Sequence, residues 1–216
     1  MPFSRDAFLD AFATYNNAFW PLAVILWVAT LLALMLHPRE RAGTGGVFGL
    51  LAIQWAWSGL AYHAAIFSHI NPAAWLFAAL FVAQACLLAW HSLVDRRLEF
   101  SSEPSMQVVI GHALVAYGLL YPVLALAGGH VYPRVPTFGV PCPTTIVTAG
   151  FLTLLRGRVP VTFAIVPLMW ALIGGSSAFL LGVPADLGLL IAGAVLAYRT
   201  VSTSAKALAG QAANGD

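Results

Sequence analysis

The sequence predicts an all-α membrane protein: a bundle of seven transmembrane helices with its N-terminus outside and its C-terminus in the cytoplasm. Three observations support this prediction. The chain of 216 residues is 60% hydrophobic and only 8% charged, whereas soluble domains average about 25% charged residues. Its charge-poor stretches reach the roughly 20 residues that a helix needs to cross a hydrocarbon core. Finally, its basic residues fall mainly on one side of the predicted spans.

The predicted spans cover residues 18–36, 47–67, 72–94, 106–127, 143–155, 159–181 and 184–201. The fifth span is shorter than a full crossing requires, and the seventh begins with Asp186 near its start. A rival reading therefore has six spans with residues 143–155 as a re-entrant segment, buried against protein rather than lipid. The sequence leaves open whether that segment crosses fully.

Orientation follows from the rule that basic residues stay on the cytoplasmic side of a membrane. Only Arg5 and Arg134 fall on the other side, which the rule assigns to the exterior. The predicted cytoplasmic residues are Arg39, Arg41, Arg96, Arg97, Arg156, Arg158, Arg199 and Lys206. The predicted organisation is a single membrane domain, 1–216. It contains an amphipathic interfacial helix over 4–16, the bundle over 18–201 and a disordered cytoplasmic tail over 202–216.

Polar residues from several separate stretches of chain gather near the predicted outer face. Polar side chains inside a membrane protein avoid lipid and face the bundle interior or a water-filled cleft. We therefore expect a ligand site there, roofed by the loop 128–141. The candidate ligand-binding residues are Tyr62, His63, Asn71, His130, Cys142, Thr144, Thr145 and Asp186.

Cys142 can be interpreted in two ways. Pro143 after it suits the first turn of a helix, which would put Cys142 at or beside the N-cap. A thiol at the helix N-terminus is activated by the unpaired N–H groups there. The alternative is a small capping residue packed under the loop.

The histidines suggest a metal site. His63, His69 and His130 with Cys142 or Asp186 would suit zinc or copper, although helix N-termini disfavour cations. Haem held by His91 and His112 is disfavoured, because His91 lies close enough to the membrane interface to reach it instead. No cofactor is required by the sequence.

These patterns favour a protein that binds or transports a small ligand or ion over an enzyme, since Ser-His-Asp and HExxH patterns are missing and no catalytic residue is assigned. One alternative is a redox or metal-binding enzyme component, and another is an accessory subunit of a membrane complex. The lipid bilayer is the expected partner, and nucleic acid is excluded because no basic patch with aromatic residues occurs. Small residues of the sixth and seventh helices suggest contacts with a second copy or a complex partner: Gly174, Ala178, Gly188 and Ala192.

The chain also resembles a bacterial membrane family, the domain of unknown function 6064. Four stretches carry the resemblance: YH at 62–63, INPAA at 70–74, HVYPRVPTFGVPCPTT at 130–145 and GVPADLG at 182–188. The resemblance implies a compact multi-pass protein of the bacterial cytoplasmic (inner) membrane, with no established activity. It implies no functional residues.

Overall fold

A computed structural model of the chain describes residues 3–36, 43–95 and 97–213, and this part of the chain is helical without a β-strand. Two π-helical segments, Ser58–Ala64 and His91–Asp95, continue the second and third helices. An isolated antiparallel bridge joins Phe100 and Leu155. The helices are α1 (Arg5–Leu36), α2 (Gly43–Trp57), α3 (Ala74–Trp90), α4 (Met106–Ala127), α5 (Pro141–Leu154), α6 (Val161–Gly175), α7 (Ser177–Leu180) and α8 (Leu187–Ala213). The predicted all-α fold is confirmed.

Five helical segments in the described residues are long and apolar enough to cross a membrane: Arg5–Leu36, Ala74–Asp95, Met106–Ala127, Val161–Leu180 and Pro184–Val201. The α5 helix is apolar but shorter. At 1.5 Å per residue, its 14 residues span about 21 Å. The number of crossings and their orientation stay predictions. Of the basic residues behind the predicted orientation, Arg39, Arg41 and Arg96 lie outside the described residues, as does the side chain of Lys206.

The N-terminal helix differs from the prediction of a separate interfacial helix over 4–16. It continues through Pro21 as one helix that reaches Leu36. Ser4 caps its start, since its side-chain oxygen accepts a hydrogen bond from the N–H of Ala7 at 3.1 Å. Phe8, Phe12 and Tyr15 are buried on one face. This face therefore packs on the rest of the chain, and the predicted position of residues 4–16 at a membrane interface stays a prediction.

The α5 helix is the centre of the molecule, and all of its residues are buried. It packs closely on α4 because Gly111, Gly118 and Gly150 have no side chains at the contact. The carbonyls at its C-terminal end have no partner within the helix. Side chains from other elements supply the donors: Gln107 Nε2 binds the carbonyls of Thr153 and Leu155 at 2.8 Å each.

The small residues of α6 and α8 pack mainly within the chain. A side chain at Gly174 would meet Leu189, and one at Gly188 would meet the ring of Tyr117. Ala192 is fully buried. The spacing of these small residues is thus explained by contacts inside one chain, and the predicted partner surface stays a prediction.

The last helix, α8, extends through Ala213 and includes most of the predicted tail. Alanine is frequent in this segment and is the residue that most favours helix. The disorder expected over 202–216 stays a prediction.

Candidate functional site

A buried carboxylate marks the end of the bundle where α4, α5 and α7 meet the turn that precedes α8. Asp186 is only 1% exposed. Its two oxygens accept hydrogen bonds from the hydroxyls of Tyr121 and Ser177, one on each oxygen. The thiol of Cys142 lies close enough to interact with the same carboxylate. A buried charge is tolerated when such donors replace the hydrogen bonds of water. Asp186 thereby holds together side chains from three helices.

A cavity of about 250 Å³ lies beside this cluster. Seven of its sixteen lining residues are aromatic, and the other nine are aliphatic or uncharged polar residues. Cys142 and Ser177 belong both to the wall and to the group around Asp186. The lining residues are Phe3, Phe8, Phe12, Tyr62, Phe67, Asn71, Phe77, Pro141, Cys142, Trp170, Ile173, Gly174, Ser176, Ser177, Leu180 and Leu181.

The N-terminal segment closes one side of the cavity through Phe3, Phe8 and Phe12. Two arginines hold this segment in place. Arg5 donates a hydrogen bond from Nε to the carbonyl of Leu181 at 2.9 Å. Arg134, in the loop after α4, donates to the carboxylate of Asp10 at 2.7 Å, and this hydrogen bond raises the pKa of Arg134.

The loop 128–141 does not roof the cavity as the sequence predicts. Of this loop, only Pro141 belongs to the wall. The loop instead lies along α1, where Asn16 donates from Nδ2 to the carbonyls of Pro133 at 2.6 Å and Val135 at 2.7 Å. Tyr15 donates its hydroxyl to the carbonyl of Phe138 at 3.2 Å. The first helix therefore lies between most of the loop and the cavity.

His63 forms a second layer behind the aromatic wall. Its ring is fully buried, and neither nitrogen has a hydrogen-bond partner among the described residues. The ring of Trp170 lies 4.9 Å away between centroids, in an edge-to-face arrangement. Its other ring neighbours are Tyr62, Phe67, Phe77 and Phe81, and four of its five ring neighbours line the cavity.

The other predicted site residues divide into those at the cavity and those away from it. Asn71 lines the cavity, and its side-chain oxygen accepts the N–H of Ala73 before α3. Thr144 and Thr145 are buried in α5 next to Cys142, and Thr145 donates its hydroxyl to the carbonyl of Pro141. His130 lies outside the wall, beside the carbonyl of Gly182 at 3.2 Å. Burial lowers the pKa of His130, and the nearby charge of Arg5 lowers it further.

The structure does not assemble the predicted metal ligands. Within the described part of the chain, no three His, Cys, Asp or Glu side chains are close enough together to hold a metal ion. His69 is exposed and bonds to the carbonyl of Ile66. Cys142 is the second residue of α5, because the helix begins at Pro141 and not at Pro143 as the sequence argument expects. Since it faces Asp186, a thiolate there would put two negative charges side by side.

Several residues at the site were missed by the sequence argument. Tyr121 and Ser177 are ordinary members of apolar helices, and only the fold brings them to Asp186. No motif or spacing in the sequence marks Trp170 as a site residue. Phe8 and Phe12 lie in the segment 4–16, which the sequence argument assigns to a membrane interface. Their spacing alone cannot distinguish a lipid contact from a cavity wall.

No curated protein and no solved structure shows significant similarity to the chain. A family model described as "Family of unknown function (DUF6064)" matches residues 5–209, which agrees with the resemblance seen in the sequence. Since the match covers nearly the whole chain, this protein belongs to the DUF6064 family.

Proposed function

We propose that the chain is an integral membrane protein of seven spans that binds a small, largely apolar molecule in the aromatic cavity. The spans are α1, α2 and α3 with their π-helical continuations, α4, α5, α6 and α8. The distribution of side chains supports insertion in a bilayer. Leu172 and Phe179 are 71% and 73% exposed, whereas Gln54 and Gln84 are fully buried. Apolar groups outside and polar groups inside suit a lipid environment.

The proposed orientation puts the cavity on the outside of the bacterial cytoplasmic membrane. Backbone contacts gather the described basic loops at the opposite end: Arg156 N–H binds the carbonyl of Glu99 at 2.7 Å. Arg199 binds the carbonyl of Gly157 at 2.7 Å in the same region. The cavity end carries Arg5 and Arg134, the latter paired with acidic residues. The excess of basic residues favours the first end for the cytoplasm.

The observation that carries the binding proposal is the composition of the cavity wall. Ligand sites are typically apolar and aromatic with a few placed polar groups, and this cavity offers seven aromatic rings with Asn71, Cys142 and Ser177. Ile173 and Leu180 line it and are also 42% and 63% exposed. An apolar rim of this kind suits a ligand that enters sideways from the bilayer. Binding is the part of the predicted function that the cavity supports; transport stays a prediction.

The experiment compares two phenylalanines of α1 in detergent-purified protein. Phe12 lines the cavity, whereas Phe19, two turns later, packs on Trp57 outside it. The probes are hexanol, decanol and naphthalene, and the measurement is the shift in unfolding temperature. Wild type and Phe19→Ala are expected to show equal shifts, and Phe12→Ala a smaller one.

Two results would count against the site. Equal shifts in all three proteins would mean that the probes act through the micelle. Loss of the shift in Phe19→Ala alone would locate binding elsewhere.

A further inference from the structure

One hydroxyl in the cavity wall has no partner in the protein. Tyr62 lines the cavity and is only 2% exposed, yet its hydroxyl makes no hydrogen bond to any residue that the structure describes. Other unpartnered polar atoms of the bundle are fully enclosed, whereas this hydroxyl is not one of the enclosed atoms and stays accessible. Since buried polar groups nearly always have partners, an accessible and unmet hydroxyl in a cavity wall points to a ligand that supplies one.

Neighbouring rings fix the position of this hydroxyl. Tyr62 lies in the π-helical segment Ser58–Ala64, and such segments are frequent at functional sites. Its ring stacks on Phe12 and on Phe67, at 5.7 Å between centroids in both pairs. The hydroxyl also lies close enough to Cys142, another residue of the wall, to interact with it electrostatically. The hydroxyl is therefore held in a defined place before a ligand arrives, which lowers the cost of binding.

Asn71 offers a second polar group in the same cavity wall. Its side-chain oxygen accepts the N–H of Ala73 at 3.1 Å, which identifies the other end of the amide as the NH₂ group. This NH₂ group donates to no residue in the described part of the chain. Because an amide NH₂ only donates and a tyrosine hydroxyl can also donate, the complementary ligand atom is a hydrogen-bond acceptor.

The acceptor belongs to an uncharged group. Among the described residues that line the cavity, none carries a charge. Asp186 lies behind the wall, and both of its oxygens already accept hydroxyl donors. Arg5 lies outside the wall, where its Nε binds the carbonyl of Leu181. An anion would lose its hydration in the cavity without gaining a counter-charge there, which is costly, whereas a carbonyl oxygen accepts the same hydrogen bonds without that cost.

We propose that the cavity selects uncharged apolar molecules that carry a carbonyl oxygen, and that this oxygen accepts a hydrogen bond from the Tyr62 hydroxyl, with the Asn71 NH₂ group as a second donor. The hydrocarbon part of the ligand packs against the aromatic wall. This inference rests on the proposed binding function and deepens it to a class of ligand and to the residue that determines specificity, Tyr62.

The test uses two probes of nearly equal size that differ in one group. Valerophenone has a carbonyl where pentylbenzene has a CH₂ group. Dissociation constants are measured for both in lipid nanodiscs, each referred to the partition of the probe into empty nanodiscs. Tyr62→Phe removes only the hydroxyl, and Tyr132→Phe is the matched control because Tyr132 is 53% exposed and lies outside the wall.

We expect Tyr62→Phe to weaken the binding of valerophenone about tenfold, the loss expected for one hydrogen bond. Pentylbenzene binding should stay within about twofold, because it makes no hydrogen bond to lose. Tyr132→Phe should match wild type for both probes. Asn71→Ser keeps an oxygen for the N–H of Ala73 and removes the NH₂ group, so it should also lower the affinity for the ketone alone.

The outcomes separate the contact, the ligand class and the binding function. If valerophenone binds wild type better than pentylbenzene and both Tyr62→Phe and Asn71→Ser keep that preference, the assigned contact is wrong. If wild type binds the two probes equally, or binds the anion phenylvalerate more tightly than the ketone, the ligand class is wrong while the binding function survives. If none of the probes binds, the proposed function itself fails.

Discussion

Asp186 shows how one acidic residue can be stable inside an apolar bundle. Its carboxylate accepts hydroxyl hydrogen bonds from Tyr121 on α4 and Ser177 on α7. Each donor comes from a different helix: Tyr121 lies 65 residues from Asp186 in sequence, and Ser177 lies nine residues before it. A residue at the start of the last helix thereby fixes the position of the cavity wall at Ser177.

Replacing Asp186 by Asn tests this role. One carbonyl oxygen then replaces two carboxylate oxygens, and the amide NH₂ faces a hydroxyl that donated to the carboxylate, so that hydroxyl loses its charged acceptor. We expect the free energy of unfolding to fall by about 1–3 kcal/mol, measured by denaturant unfolding in detergent. Ser177→Ala combined with Asp186→Asn should cost less than the sum of the single changes. Additivity to within about 0.5 kcal/mol would show that the two residues are not coupled.

The burial of His130, in the loop that packs on α1, predicts that the stability of the protein depends on pH. Burial and the charge of Arg5 lower its pKa below the ordinary 6.5, so the unfolded chain takes up a proton more readily than the folded one. Stability is therefore retained above about pH 6.5 and lost as the pH falls below it. Unfolding temperatures measured from pH 8 to 5 should decline less in His130→Gln than in wild type. Parallel curves would contradict this assignment.

At the scale of the helix, close contact between α4 and α5 depends on glycine. A methyl group on Gly150 would lie 2.8 Å from the backbone nitrogen of Val115 and 2.9 Å from the carbonyl oxygen of Gly111. Because these are backbone atoms, the clash with the added methyl group can be relieved only if the two helices move apart. The glycines therefore set the spacing at the centre of the bundle.

Gly150→Ala is accordingly expected to destabilise the protein by about 1–3 kcal/mol, the usual cost of overpacking. Gly46→Ala is the control, because a methyl group there meets nothing within 4 Å and alanine favours helix by up to about 1 kcal/mol. Unfolding temperature in detergent provides the comparison. Equal values for Gly150→Ala and wild type would mean that the contact is looser than described.

The helices could be predicted from sequence where the apolar composition alone determines their extent. Residues 106–127 were predicted as one element and form α4 with the same bounds. The continuity of α1 could not be predicted, because Pro21 is compatible with either a helix start or a helix interior. The spacing of hydrophobic residues also does not reveal the π-helical segments that contain His63 and His91.

Part of the predicted residue set meets at one cavity, and the role of that set as a ligand site stays a prediction. Tyr62, Asn71 and Cys142 line the cavity, and Asp186 is buried beside it. The sequence argument expected a polar site because it followed polar residues, which stand out against an apolar background. Aromatic residues do not stand out there, so the wall that they form required the structure.

For the whole molecule, the proposed arrangement is a bundle with basic loops at one end and an aromatic cavity at the other. The exterior is apolar and the interior holds Gln54, Gln84 and His63. This arrangement assigns each end of the bundle to one side of a membrane, and the account of the ligand's entry depends on that assignment.

Cysteine labelling in intact cells tests the assignment most directly. Val131 is 73% exposed in the loop at the cavity end, and the side chain of Arg97 is 86% exposed at the other. In a Cys86→Ala background that keeps the buried Cys142, Val131→Cys should react with a membrane-impermeant maleimide. Arg97→Cys should react only after the membrane is permeabilised. Labelling of position 97 in intact cells, with position 131 protected, would contradict the orientation and the outward-facing cavity.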